Sequence, residues 1–192
     1  DSDESPEKSA LFHNTNAGKR LLNLDLTTPE GKEVVLDLVR WCDVVTESFS
    51  PKAMKAFGLD YESLREINPN LIMLSTCLFG QTGPLSMFAG YGNLAAAIAG
   101  FYTITGWPDR EPAGPFGAYT DYIAPRYNAA AILAVLDYRD RGGEGQHIDL
   151  AQAESALHFL TPAILDYMAN DHVQLRQGNT DPYCAPHSVY PT

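Results

Sequence analysis

The chain has 192 residues, 45% of them apolar and 19% charged, with a formal net charge of −11 at pH 7. This length and mix suit one globular domain with a real core and exclude a disordered chain. The acidic excess argues against nucleic acid, whose phosphates need a basic face, and no apolar run reaches the roughly 18 residues that a membrane span requires.

The opening residues, Asp1 to Lys8, are polar and acidic. They fit neither a signal peptide nor a transit peptide, and residues 1–12 are expected to be a flexible lead-in. Residues 20–26 read as a short strand. Thr28 then suits a helix cap and Pro29 the first helical position. That helix should run to about Trp41, with Val34, Val35, Leu38 and Val39 inward. Residues 43–47 read as a buried strand. Ser50 and Pro51 open a short helix that Gly58 closes, residues 60–67 give another, and residues 71–75 the next strand. Strands alternating with helices predict an α/β fold with parallel pairing. In such sheets ligands bind beyond the carboxyl ends of the strands. Here those ends are the loops after Glu47 and Ser75, both rich in turn residues.

Residues 94–102 read as one tightly packed helix of small apolar residues, and residues 106–117 as a loop holding Pro108, Pro112 and Pro115. Residues 129–136 read as a helix, because Ala130, Leu133, Ala134 and Asp137 recur at three- and four-residue spacing. A polar turn at 139–146, a strand at 147–150 and a long helix at 151–170, interrupted or bent at Pro162, complete the pattern. The tail from Gln174, with Gly178, Pro182, Pro186 and Pro191, reads as irregular.

Cys42, Cys77 and Cys184 lack any metal spacing, and reduced, mostly buried thiols are expected. The histidines show no zinc pattern, and no metal site is expected. Asp121 stands out. It sits in Gly117-Ala118-Tyr119-Thr120-Asp121-Tyr122, just ahead of the 129–136 helix. Unpaired amides and the macrodipole near a helix N-terminus favour a charged carboxylate. The position alone fits an ordinary first-turn acid. The sharper reading is a carboxylate nucleophile.

Several phrases occur in a telling order. They are Asn16-Ala17-Gly18-Lys19-Arg20 with Leu24-Asp25-Leu26, then Pro29-Glu30-Gly31-Lys32, residues 43–51, Phe57-Gly58-Leu59, and Asn68-Pro69. Phe79-Gly80-Gln81-Thr82-Gly83-Pro84, Thr105-Gly106, Asp121, and residues 139–146 closing on Asp149 follow. The ordered set, spanning residues 13–190, resembles the family III CoA-transferases, the group of formyl-CoA:oxalate and crotonobetainyl-CoA:carnitine CoA-transferases.

The resemblance implies a Rossmann-like large domain at residues 13–173, with the tail at 174–192 leading toward a small domain that is absent, as is the family's usual first strand. A segment of a longer polypeptide, inactive or poorly active alone, is therefore expected. It further implies two subunits threaded as linked rings, acyl-CoA and a small carboxylic acid as substrates, and no cofactor beyond coenzyme A itself. A cytoplasmic protein without nucleic-acid or membrane partners is expected, as a homodimer or a hetero-oligomer of related subunits.

Asp121 matches the family's catalytic aspartate. Leu24, Ser48, Phe49, Lys52, Ala53 and Lys55 fall at or beside CoA-binding positions. Ser48 stands for the usual Asn, and Lys55 often for Arg, so a charge is kept and bidentate geometry lost. Cys77 replaces a Lys of some relatives. Gly80, Gln81 and Gly83 are placed to border the acyl site, and Tyr119 and Tyr122 flank the nucleophile. Each of these five has a plain reading as a turn or packing residue. Residues 139–146 read as a turn that sets strand register, not as catalytic.

Two rivals stand beside the transferase. An acyl-CoA racemase of the same superfamily would carry a His-Asp pair where this chain has Tyr91 and Gly92. Two-base proton transfer needs a partner of suitable pKa, which neither supplies. The other rival is a non-catalytic subunit of a CoA-transferase-like complex.

Overall fold

The chain divides into two units, residues 1–34 and 35–192; its computed structural model describes residues 8–192. The part of the expected lead-in up to residue 7 lies outside the described residues. In the N-terminal unit the chain is helical from Ala10, as α1 (Ala10–Asn16). Residues 20–26, expected as a strand, pair with no other strand among the described residues. Apolar spacing cannot make a strand without a neighbour to complete the ladder. Here the run ends in a side-chain turn, where Asp25 Oδ1 accepts from the Thr27 amide at 2.9 Å and the Thr27 hydroxyl at 2.7 Å. Thr28 Oγ1 accepts from the Gly31 amide at 3.1 Å and caps α2 (Pro29–Trp41), as its position implies.

The second unit is built on three parallel strands in the order β1 (Val44–Glu47), β2 (Ile72–Cys77), β3 (His147–Ala151). The register runs from Val44 against Ile72 to Glu47 against Ser75, and from Met73 against His147 to Cys77 against Ala151. β2 is central and Leu71 to Leu74 are fully buried, as a parallel strand covered on both faces requires. β1 lies at an edge. Its Thr46 is exposed and its valines only partly covered, so the expectation of a buried strand holds fully only at Glu47. On α2, Val39 is buried but Leu38 is 44% exposed, so the inward face is narrower than the apolar spacing implies.

Between β1 and β2 lie α3 (Pro51–Phe57), which Gly58 ends in a left-handed conformation, and α4 (Tyr61–Ile67), which Asp60 caps. Between β2 and β3 lie α5 (Gly92–Ala99), α6 (Phe101–Ile104) and α7 (Tyr119–Asp140). The single helix expected at 94–102 is two helices, because Gly100 adopts φ 108° and ends the first. After β3 come α8 (Gln152–Leu157), a 3-10 turn at His158–Leu160 and α9 (Thr161–Asn170). The helix is interrupted just before Pro162, at that turn, and the proline sits in the first turn of α9, where a missing amide costs nothing. Ala96, Phe101, Ile123, Ala156 and Leu160 form a core shared by α5, α6, α7, α8 and the turn.

Residues 139–146 set the register of β3. Arg139 pairs with Asp43 at 2.8 Å and donates to the Asn70 carbonyl at 3.1 Å. The Gln146 carbonyl accepts the Met73 amide at 3.0 Å, the rung just ahead of the β2–β3 ladder. Gly145 lies so close to β2 that a β-carbon there would stand 2.4 Å from the Leu71 carbonyl oxygen. The cysteines are free. Cys42 and Cys77 are partly buried and Cys184 is exposed, so the expectation of mostly buried thiols fails at the tail. No helix among the described residues is long and apolar enough to cross a membrane.

Candidate active site

Three backbone junctions meet at Asp121. The residue lies in the first turn of α7. The Gly92 amide, at the start of α5, donates to Asp121 Oδ2 at 3.1 Å. A β-carbon on Gly92 would stand 2.8 Å from the Asp121 nitrogen and 2.9 Å from its carboxyl carbon, so only glycine permits this approach. Thr120, fully buried, places its hydroxyl oxygen 3.2 Å from the Gly92 carbonyl oxygen and 2.9 Å from Gln152 Oε1. Gln152 opens α8 directly after β3. Farther along α7, Pro125 has no amide to give the Asp121 carbonyl, so that helical bond cannot form.

The carboxylate borders a cleft of about 450 Å³. All three strands reach it at their carboxyl ends: Ser48 and Phe49 after β1, Thr76, Cys77 and Phe79 at and after β2, and Gln152 after β3. Met87, Phe88 and Tyr91 complete the wall, with Phe79 edge-on to Phe88 at 6.0 Å. Glu47 Oε2 accepts the Phe49 amide at 2.6 Å and so shapes the loop that carries Ser48 and Phe49. Burial pushes the Cys77 thiol above its ordinary range, with the carboxylates of Asp149 and Glu47 adding to it. A protonated thiol is a weak nucleophile.

The residues singled out in the sequence separate into groups. Ser48, Phe49 and Asp121 share the cleft. Lys52 and Lys55 are exposed on α3, three residues apart and hence on one face, with Ala53 partly buried between them. Gly80 and Gln81 lie in the loop next to the cleft. Asp149 on β3 clamps that loop by accepting the Gln81 amide on both oxygens, at 2.9 and 3.0 Å. Gly83 lines a separate apolar cavity of about 300 Å³ with Leu85, Ile98 and Leu157. Tyr119 packs edge-on against Phe101 and Phe159, and Tyr122 is 54% exposed with its carbonyl accepting from Arg126. Leu24 belongs to the N-terminal unit.

Sequence reasoning missed Thr120, Tyr91 and Gln152. The carboxyl-end rule, applied to the third strand as to the first two, points to Gln152.

A second cavity of about 340 Å³ adjoins the cleft through Ser48 and Thr76. Among the described residues, three buried side-chain atoms lack any hydrogen-bond partner: Glu47 Oε1, Thr76 Oγ1 and Asn128 Oδ1. All three residues line this cavity.

A model of CoA-transferase family III matches residues 2–192. The chain belongs to CoA-transferase family III. Within this family it is similar to the succinate–glutarate CoA-transferase of Agrobacterium fabrum, 43% identical over 184 residues, which are 96% of this chain and 46% of that protein. It is also similar to the succinyl-CoA–D-citramalate CoA-transferase of Chloroflexus aurantiacus, 38% identical over 91% of this chain and 43% of that protein. The crystal structure of a CAIB/BAIF family protein from Brucella suis superposes with a TM-score of 0.87 at 41% identity, covering 93% of this chain and 47% of that one. The α/β architecture is thus that of the family III fold. The chain spans about half the length of the curated relatives it matches.

Proposed function

We propose that the whole protein transfers coenzyme A from an acyl-CoA thioester to a carboxylic acid, with Asp121 as covalent nucleophile. The observation that carries this is the Asp121 carboxylate, tied through Oδ2 to Gly92 beside a cleft at the carboxyl ends of three parallel strands. Among the described residues Oδ1 has no partner, which makes it the attacking oxygen.

The reaction then runs in four exchanges. Asp121 Oδ1 attacks the thioester carbonyl carbon, the C–S bond breaks, and a mixed anhydride and CoA thiolate result. The thiolate attacks the Asp121 carboxyl carbon and releases the donor acid as its carboxylate, leaving an aspartyl-CoA thioester. The acceptor carboxylate attacks that carbon and expels the thiolate, giving a second anhydride. The thiolate then attacks the acceptor's acyl carbon, which frees Asp121 and the new acyl-CoA. No proton is gained or lost. Both anhydrides need shelter from water.

Ser48 and Phe49 in the cleft wall, and Lys52, Ala53 and Lys55 on α3, are proposed to hold the coenzyme. With a net charge of −11, the lysine pair on α3 supplies the local cations that phosphates require. Gly80 and Gln81, in the loop next to the cleft, are proposed to border the acyl group, with Gly83, Tyr119 and Tyr122 shaping the site from farther out. The names of the relatives favour short dicarboxylic acids as donors and acceptors. An interlocked homodimer in the cytoplasm completes the reading.

The test is CoA exchange between succinyl-CoA and glutarate, measured on the whole protein and on Asp121→Asn. The wild type should exchange and the variant should lose at least a thousandfold in rate. Exchange by the variant at the wild-type rate would overturn the assignment.

A further inference from the structure

We propose that the Gln152 carboxamide is a catalytic hydrogen-bond donor, supplying its Nε2–H to the thioester carbonyl oxygen as that oxygen gains negative charge. The inference deepens the transferase reading and rests on it. The Thr120 hydroxyl has one proton and two neighbouring acceptors, the Gly92 carbonyl at 3.2 Å and Gln152 Oε1 at 2.9 Å. The shorter contact assigns the proton to Gln152. With Oε1 accepting, the amide orientation is fixed, and Nε2 has no partner among the described residues.

Gln152 lines the same cleft as Asp121. Thr120, which orients it, immediately precedes the nucleophile and is fully buried. One short network therefore fixes both groups, the carboxylate through Gly92 and the carboxamide through Thr120. A donor fixed before reaction costs no reorganisation when the oxyanion forms, which is where such groups contribute most. The residues of this chain that line the cleft include no Lys, Arg or His, so the donors it offers there are neutral. The carboxamide of Gln152 is the neutral donor there whose direction a buried partner determines.

The step keeps its balance. As Asp121 Oδ1 bonds to the thioester carbon, the carbonyl π electrons move onto oxygen and Nε2–H shares its proton with that oxygen without transferring it. The electrons return as the C–S bond breaks. The same contact serves the later attack on the acceptor's acyl carbon.

The test compares Gln152→Met, which removes the donor at similar volume, with Gln152→Glu, which still accepts from Thr120 but puts an acceptor in place of the donor. Both are assayed in the whole protein with succinyl-CoA and glutarate, beside wild type and Asp121→Asn, with thermal unfolding recorded for each. Expected are a fall in kcat of about a hundredfold or more for both Gln152 variants and a KM for succinyl-CoA within a few-fold of wild type. Gln152→Glu should keep its thermal midpoint, so it carries the test should Gln152→Met fail to fold. Wild-type kcat in Gln152→Glu overturns the proposal, since a residue that only anchors Thr120 still does so as glutamate. Loss confined to KM also overturns it. Full exchange by Asp121→Asn, or none by the wild type, instead removes the transferase reading itself and this proposal with it.

Discussion

Gly92 and Asp121 are held together by a hydrogen bond and by a lack of space. The Gly92 amide reaches Asp121 Oδ2 at 3.1 Å, and a methyl group on Gly92 would come within 2.9 Å of the carboxyl carbon. Gly92→Ala must therefore push the start of α7 away from that of α5. Overpacking of this kind costs about 1–3 kcal/mol, and misplacement of a reacting group by an ångström costs about a hundredfold in rate. The variant should unfold at lower temperature and lose exchange in kcat. An active variant of unchanged stability would mean that the two helix starts are not in contact.

Two threonines near the site make opposite predictions. The Thr120 hydroxyl lies 2.9 Å from Gln152 Oε1 and 3.2 Å from the Gly92 carbonyl oxygen and is fully buried, whereas the Thr76 hydroxyl oxygen is buried without a partner. Thr120→Val leaves Gln152 unpaired and should cost about 1–3 kcal/mol. Thr76→Val removes an unsatisfied group at nearly constant shape and should be neutral or stabilising. Urea unfolding of both variants checks this. Equal losses in the two would show that Thr76 is bonded after all.

Cys77 and Cys184 both have raised pKa values, from different causes. Burial dominates at Cys77, while at Cys184 the leading cause is the negative charge of Asp181. Salt screens the second and leaves the first in place. Alkylation of Cys184 by iodoacetamide should therefore speed up on going from low to molar salt, and that of Cys77 should not. Both should react slowly near neutral pH and faster as pH rises above the ordinary thiol range. For Cys77 the sign is that of a raised folded-state value. The neutral thiol favours the fold below the unfolded-state pKa, and that contribution is lost as pH climbs through the folded one. Peptide mass spectrometry of the two sites across pH and salt decides the matter.

Arg139 is expected to be structural. It ties the end of α7 to Asp43 and to the Asn70 carbonyl, at the start of the strands and so at the end of the sheet away from the cleft. Its partner Asp43 is exposed, so the ion pair itself is screened and the charge-assisted hydrogen bond to the Asn70 carbonyl carries most of the effect. Arg139→Ala should cost about 1–2 kcal/mol, with the KM for acyl-CoA unchanged. A selective rise in that KM would give Arg139 a role in the site that its position denies.

Local signals in the sequence carry well into the structure where local chemistry decides them. Thr28 and Pro29 start a helix, Gly58 ends one and Asp60 starts another, because each acts on backbone groups within a few residues. Residues 20–26 misled because a strand depends on a neighbour that periodicity does not supply. The 94–102 run misled because its apolar spacing hid the left-handed Gly100. Asp121, Ser48 and Phe49 were legible as neighbours of one cleft, from motif order and from the strand-end rule. Tyr119 and Gly83 were not, since their direction depends on how α6, α8 and the loop after β2 pack. Gln152 was hidden for the same reason. It reaches Thr120 only once the β2–β3 register delivers the start of α8 to the start of α7.

The most direct test is to trap the covalent intermediate. The whole protein is incubated with succinyl-CoA, quenched with hydroxylamine, digested and read by tandem mass spectrometry. A hydroxamate on the Asp121 side chain is the predicted result. Undiminished exchange with no adduct at Asp121 would contradict the carboxylate mechanism.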